Sequence, residues 1–386
     1  MTVLDTRTLN RATLARQLLL DRADLPARDA VADLPARDAV ADLPARDAVA
    51  HLCGLQAQEP QEPFAGLWSR LRAFDAAELS DLLTGRQVVR THLMRRTVHL
   101  VTAEDVLAWR ARHDAMLRQR VLGVYRRELA GIDLDELAAA GRAVLADGEA
   151  RSMPELARAL KSRWSRWPDA DTRALGELLV AGLIPMVQLP PRGVWRTKGG
   201  VRNLPVSAWL GREVDPAAPD GTDPVGEELV RRYLAAYGPA ATADVRAWSG
   251  LAGLPAAVKA VRAELVSYRD ERGRELLDLP GAPLPDAETL APVRFLPAFD
   301  NAVLGYDDRG RIIDDEHRGL SITGARFVLV DGRVAGTWTV EDGTVVVAPL
   351  RRFSRAERDA VAEEGQALAL FLSDKESDRV RVTPWR

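Results

Sequence analysis

A chain of 386 residues exceeds one ordinary core and predicts two to four compact units, with 47% hydrophobic residues to fill them. No apolar run reaches the 18 residues of a membrane span, Met1-Thr2-Val3-Leu4-Asp5-Thr6-Arg7 is no basic-then-apolar leader, and the net charge is only −3. One cysteine (Cys53) and five histidines exclude a disulfide framework and argue against zinc, so the expectation is a cytoplasmic protein without metal or cofactor.

Leu9 to Asp21 predicts an amphipathic helix that Asn10 can cap, with Leu14, Leu18 and Leu19 as its stripe. The nonapeptide DLPARDAVA then occurs three times, at 24–32, 33–41 and 42–50. Three copies of nine residues make a poor solenoid. The last copy reads as part of a helix through Val49 and Leu52, and the first two as a solvent-exposed insertion broken by Pro26 and Pro35. Ala76 to Thr84 predicts a further short helix, and the basic, β-rich run from Gln87 to Val101 predicts a ribbon. Helices followed by a ribbon form a winged-helix unit.

The arrangement recurs. Thr102 with Asp105 opens a helix through His113 and Arg120, Ser152-Met153-Pro154-Glu155 opens another, and Thr172 to Leu183 follows. Pro185 to Arg196 predicts a second ribbon turning at Pro191-Arg192-Gly193. A third unit has a helix at Leu229 to Tyr237, a second from Thr242, a last one at Leu254 to Leu265, and a strand pair around Glu271-Arg272-Gly273. From Pro292 the period becomes two, with Asp331-Gly332 and Asp342-Gly343 turns and a helix at 355–370 beside a small antiparallel barrel or sheet. The fold class is α+β: winged-helix units at 1–101 (with the 24–41 insertion), 102–225 and 226–290, then a β unit at 291–386.

Charge is unevenly spread. Between Arg86 and Arg127 ten arginines face three acids, and between Arg151 and Arg202 ten Arg or Lys face four. Two such runs in an acidic chain predict a cationic surface for a polyanion. Its candidates are Arg90, His92, Arg95 and Arg96 on the first ribbon and Arg192, Arg196 and Lys198 on the second. Alternation sets Arg90, His92 and Met94 on one face and Arg95 on the other, so only some can face DNA. The second ribbon reads equally as a groove-entering element or a plain wing.

One stretch stands out from the rest: Gly54-Leu55-Gln56-Ala57-Gln58-Glu59-Pro60. Gly54 ends the preceding helix and Pro60 blocks another, which favours extended backbone between them. Extended, Gln56 and Gln58 point to the same side, two neutral amides that each donate and accept.

Gly54–Gln58, Arg90–Val101, Tyr233–Pro239, Phe299-Asp300-Asn301 and Gly332–Trp338, in that order, resemble the bacterial winged-helix DNA glycosylases of the AlkZ and YcaQ type, over nearly the whole chain outside the insertion. The resemblance implies three tandem winged helices and a C-terminal β-barrel curved around a duplex-DNA channel. It also implies hydrolysis of the N-glycosidic bond of N7-alkylated guanine. Gln56-Ala57-Gln58 is similar to the Gln-aliphatic-Gln of the AlkZ branch, whose members unhook interstrand crosslinks or remove bulky adducts of DNA-alkylating antibiotics, often protecting the producing organism; Ala57 is smaller than the aliphatic residue expected there. Gln56 and Gln58 are then the catalytic pair, with Gln58 orienting water and Gln56 its partner, although the sequence does not order them. Such lesions favour an open channel without a deep base pocket. Asp300 and Asn301 read as turn-capping, with support of the channel floor as the alternative, His99 as a packed strand residue and Trp338 as core. The competing function is a non-catalytic winged-helix regulator. A regulator of that class dimerises on a palindrome, and three units on one chain without a dimer helix favour a monomer on DNA.

Overall fold

A computed structural model describes residues 2–23, 43–164, 167 and 169–385; the 24–41 insertion lies outside them. Strand β1 (Val3–Leu4) leads into helix α1 (Thr6–Arg16), whose cap is Asp5 rather than Asn10. Asn10 falls one turn inside, where its amide donates to the Arg311 and Gly332 carbonyls at 2.9 and 2.7 Å. Helix α2 (Ala45–His51) ends as expected before Gly54, where φ is +85° and a Cβ would lie 2.7 Å from Val101. No residue but glycine meets both demands.

Next come β2 (Leu55–Gln56), α3 (Glu62–Trp68), α4 (Ala76–Thr84), β3 (Val88–His92), β4 (Val98–Thr102) and α5 (Ala103–Val124). The Thr102 hydroxyl accepts from Asp105 N–H and starts α5 as predicted. Helices α6 (Leu134–Leu145), α7 (Met153–Arg163, with the Ser152–Glu155 capping box) and α8 (Thr172–Glu177) follow, α8 running into a widened turn at Leu178–Leu183. Strand β5 (Met186–Gln188) does not turn back at Pro191-Arg192-Gly193. It pairs with β6 (Asn203–Pro205) across the intervening residues 189–202, so Trp195 and Arg196 sit in a loop, not a strand.

The first two ribbons are also not separate wings. Arg90 pairs with Gln188, and the strands merge into one sheet of order β2-β4-β3-β5-β6. Both of its faces are covered. Leu55, Ala57, Val88, Val98 and Leu100 pack on one cluster with α2, α3 and α4, while Val89, Leu93, Met94 and Val101 pack on another with α5 and the following helices.

After α9 (Val206–Leu210), helices α10 (Pro224–Tyr237), α11 (Thr242–Ser249) and α12 (Leu254–Ala260) precede the predicted strand pair, β7 (Val266–Asp270) and β8 (Glu275–Asp278). β1 joins β7 in parallel. The last part holds β9 (Arg294–Leu296), α13 (Asn301–Leu304), β10 (Arg326–Val330), β11 (Arg333–Glu341), β12 (Thr344–Pro349), α14 (Arg355–Leu372) and β13 (Val380–Val382). Asp331-Gly332 and Asp342-Gly343 all have positive φ, the tight-hairpin geometry the sequence called for. The expected barrel is an open five-stranded sheet: β13 and β9 are its edges, and no pairing among the described residues joins them. Trp338 is core, and its indole N–H reaches the Leu296 carbonyl at 2.8 Å.

Candidate active site

Gln56 stands on β2 opposite His99 of β4. Ala57 N–H donates to the Val98 carbonyl at 2.7 Å, which makes Gln56 and His99 the adjacent non-hydrogen-bonded pair, whose side chains stand closest. The return bond of that ladder step is replaced. Arg90 takes the Ala57 carbonyl at 2.9 Å, and the Gln58 amide oxygen folds back to accept from Val98 N–H at 3.3 Å. Gln58, though exposed, thus terminates the ladder.

Gln56 is held from its other end. One guanidinium nitrogen of Arg95 donates both to Gln56 Oε1 at 3.0 Å and to Asn301 Oδ1 at 2.9 Å, while its other terminal nitrogen donates to the Trp248 carbonyl. Arg95 takes this position from a tight turn between β3 and β4 in which its own φ is +55°. Burial lowers its pKa to about 10, which leaves it cationic at neutral pH. Each glutamine oxygen therefore carries one protein donor and keeps a second lone pair.

Histidines near the pair are neutral. His99 is fully buried and held well below its ordinary value by that burial and by the Arg95 charge; its Nδ1 meets the Thr97 carbonyl at 3.1 Å. Burial, Arg110 and Arg96 bring His92 down to about 4. The single thiol, Cys53, is pushed up to about 12 by burial and is inert.

The remaining expected DNA contacts divide sharply. Arg90 is enclosed in the two-faced sheet, bonded to Ala57 and Gln188, so it is structural rather than phosphate-facing. Arg95 is committed to Gln56, and Arg96 to Glu177 at 2.7 Å. Arg192 is half-buried and donates to the Gly199 carbonyl, whereas Arg196 is exposed and paired with Asp374 at 2.5 Å. Lys198 is exposed, with no ion pair among the described residues. Three exposed arginines without an ion pair among the described residues, Arg120, Arg126 and Arg127, follow on the end of α5 and beyond it. The basic run contained them, yet nothing in their spacing set them apart. Asp300 does cap, as predicted, accepting from Ala302 N–H, but Asn301 goes further and enters the site.

A curated interstrand DNA cross-link repair glycosylase of Streptomyces sahachiroi is 27% identical over 349 residues, covering 82% of this chain and 88% of the relative. Among solved structures, the S. sahachiroi DNA glycosylase AlkZ superposes with a TM-score of 0.74, covering 99% of this chain and all of that one at 22% identity. The model of the DNA glycosylase AlkZ-like family matches residues 49–371, from the helix before Gln56 to the end of α14, and the chain belongs to that family.

Proposed function

We propose that this protein hydrolyses the N-glycosidic bond of N7-alkylated guanine in duplex DNA, with interstrand crosslinks and bulky antibiotic adducts as its substrates and repair or self-resistance as its role. The observation that carries the reading is the clamped amide: Gln56, in the extended Gln56-Ala57-Gln58 segment, has its orientation set by a half-buried cation. Alkylation at N7 gives the base a positive charge, so it departs neutral and needs no general acid. Water then adds to C1′ as the C1′–N9 electron pair moves into the purine, and the water proton passes to solvent. Less barrier must be removed than with an uncharged base, and an amide oxygen that holds and aims the water suffices. Gln58 offers the second such oxygen. Nearby carboxylates are engaged elsewhere: Asp300 is bound by Arg70 through both oxygens at 2.8 and 2.9 Å, and Glu62 by Arg326. Among the described residues, Glu59, exposed beside Gln58, is the alternative base.

On this reading units 1–101, 102–225 and 226–290 act as tandem winged helices around the duplex with 291–386 beside them, one monomer per lesion. Arg126, Arg127 and Lys198 supply phosphate contacts. Duplex containing N7-methylguanine, incubated with protein and then heated in alkali, reports excision as strand cleavage. Gln56→Ala and Gln58→Ala should each lose about 10²-fold or more with DNA binding retained, while Glu59→Gln stays active. Wild-type rates in both glutamine variants would remove the pair from the mechanism, and tight binding without excision by the wild type would favour the regulator.

A further inference from the structure

Gln56 is fixed by residues that the chain brings from far apart. Asn301, 245 positions downstream of Gln56, opens α13, and its delivery is rigid. Phe299 adopts φ +61°, Asp300 caps the helix, and the Asp300 carboxylate is gripped by Arg70 in a pair whose side chains are both 1% exposed. Asn301 Oδ1 then receives one hydrogen of the Arg95 nitrogen whose other hydrogen goes to Gln56.

We propose that Asn301 and Arg95 form the positioning pair for Gln56, an inference that rests on the glycosylase reading above. A guanidinium is planar, so three acceptors, Gln56 Oε1, Asn301 Oδ1 and the Trp248 carbonyl, fix its plane as well as its place. Fixing that plane fixes the Gln56 amide and the direction of its remaining lone pair. With the Asn301 oxygen removed, the shared nitrogen is free to turn toward Gln56 alone, and the amide follows it. Neither residue need touch DNA, because Asn301 is 5% exposed and both terminal nitrogens of Arg95 are taken up by protein acceptors. Arg70, Asp300, Asn301, Arg95 and Gln56 thus form one chain of contacts from the α3 end to the amide that aims the water. A misplacement on the scale of one ångström at the end of such a chain is enough to cost most of the rate.

Asn301→Leu keeps the volume and deletes the acceptor, whereas Asn301→Asp keeps an acceptor oxygen. In single-turnover excision of N7-methylguanine, Asn301→Leu should fall by about 10- to 100-fold with unchanged DNA affinity, and Asn301→Asp should recover most of that loss. In a Gln56→Ala background Asn301→Leu should reduce the residual rate no further, since its action runs through Gln56. Arg95→Lys, which reaches fewer acceptors, is the second probe if Asn301→Leu does not fold, and should show the same loss and the same epistasis. A wild-type rate in folded Asn301→Leu, or a loss that multiplies with that of Gln56→Ala, overturns the positioning role. A wild-type rate in Gln56→Ala instead overturns the glycosylase assignment of Gln56 itself, so the two failures are distinct.

Discussion

At the scale of single residues, the two glutamines differ in a way their spacing hid. Gln58 replaces a backbone acceptor at the ladder end, while Gln56 is oriented by Arg95. Gln58→Ala should therefore lower stability as well as rate, by about 1 kcal/mol for the unpaired Val98 N–H, whereas Gln56→Ala should lower the rate alone. Chemical denaturation of both variants decides this. The histidines carry a pH prediction. Burial depresses His113 to about 4 against an unfolded value near 6.5, so between those values the unfolded chain binds the extra proton. Its contribution is full above pH 6.5 and is lost as pH falls toward 4, at up to about 1.4 kcal/mol per unit for one proton. Buried Asp244 and Glu364, raised by desolvation, act in the opposite sense. Urea midpoints at pH 7 and 5 should therefore differ less in His113→Gln than in the wild type.

At the scale of elements, local signals were legible and distant pairings were not. Helix α4 runs from Ala76 to Thr84 as its pattern predicts, and the Ser152–Glu155 box and both Asp-Gly hairpins stand where their residues put them. These depend on neighbours within four positions. The fusion of two ribbons through Arg90 and Gln188 spans 98 residues, and nothing in either segment encodes the partner. That single pairing turns Arg90 from a presumed groove contact into an enclosed arginine. Arg90→Met should then leave DNA affinity nearly unchanged, while Arg126→Glu with Arg127→Glu should weaken binding and lower the salt slope by about one unit per lost phosphate contact. Titrations by fluorescence anisotropy from 50 to 200 mM salt separate the two cases. The loop after β5 answers to the same enclosure. Gly193 has φ +93°, and a Cβ there would lie 2.7 Å from the Arg90 side chain. Gly193→Ala should accordingly cost more than about 1 kcal/mol, read from urea unfolding.

At the scale of the whole molecule, charge that looked available for DNA is largely spent on joining segments. Arg16 of α1 meets Asp278 of β8 at 2.6 Å with both side chains buried, Arg232 of α10 holds Asp105 of α5, and Arg70 holds Asp300. The arginine surplus was readable from composition; which arginines remain free depends on contacts between residues hundreds apart, such as Arg16 and Asp278 at a separation of 262. Removing one member of an enclosed pair strands the other charge without water, a larger penalty than the pair's own net worth. Asp278→Ala should thus destabilise by about 3–5 kcal/mol, and pairing Arg16→Met with Asp278→Leu should restore most of it. Arg16 also donates to the Leu234 and Pro283 carbonyls, so part of the loss should persist in the double variant as unpaired acceptors. A double variant no more stable than Asp278→Ala would mean that the seam between α1 and β8 depends on those carbonyl bonds rather than on relieving a buried charge.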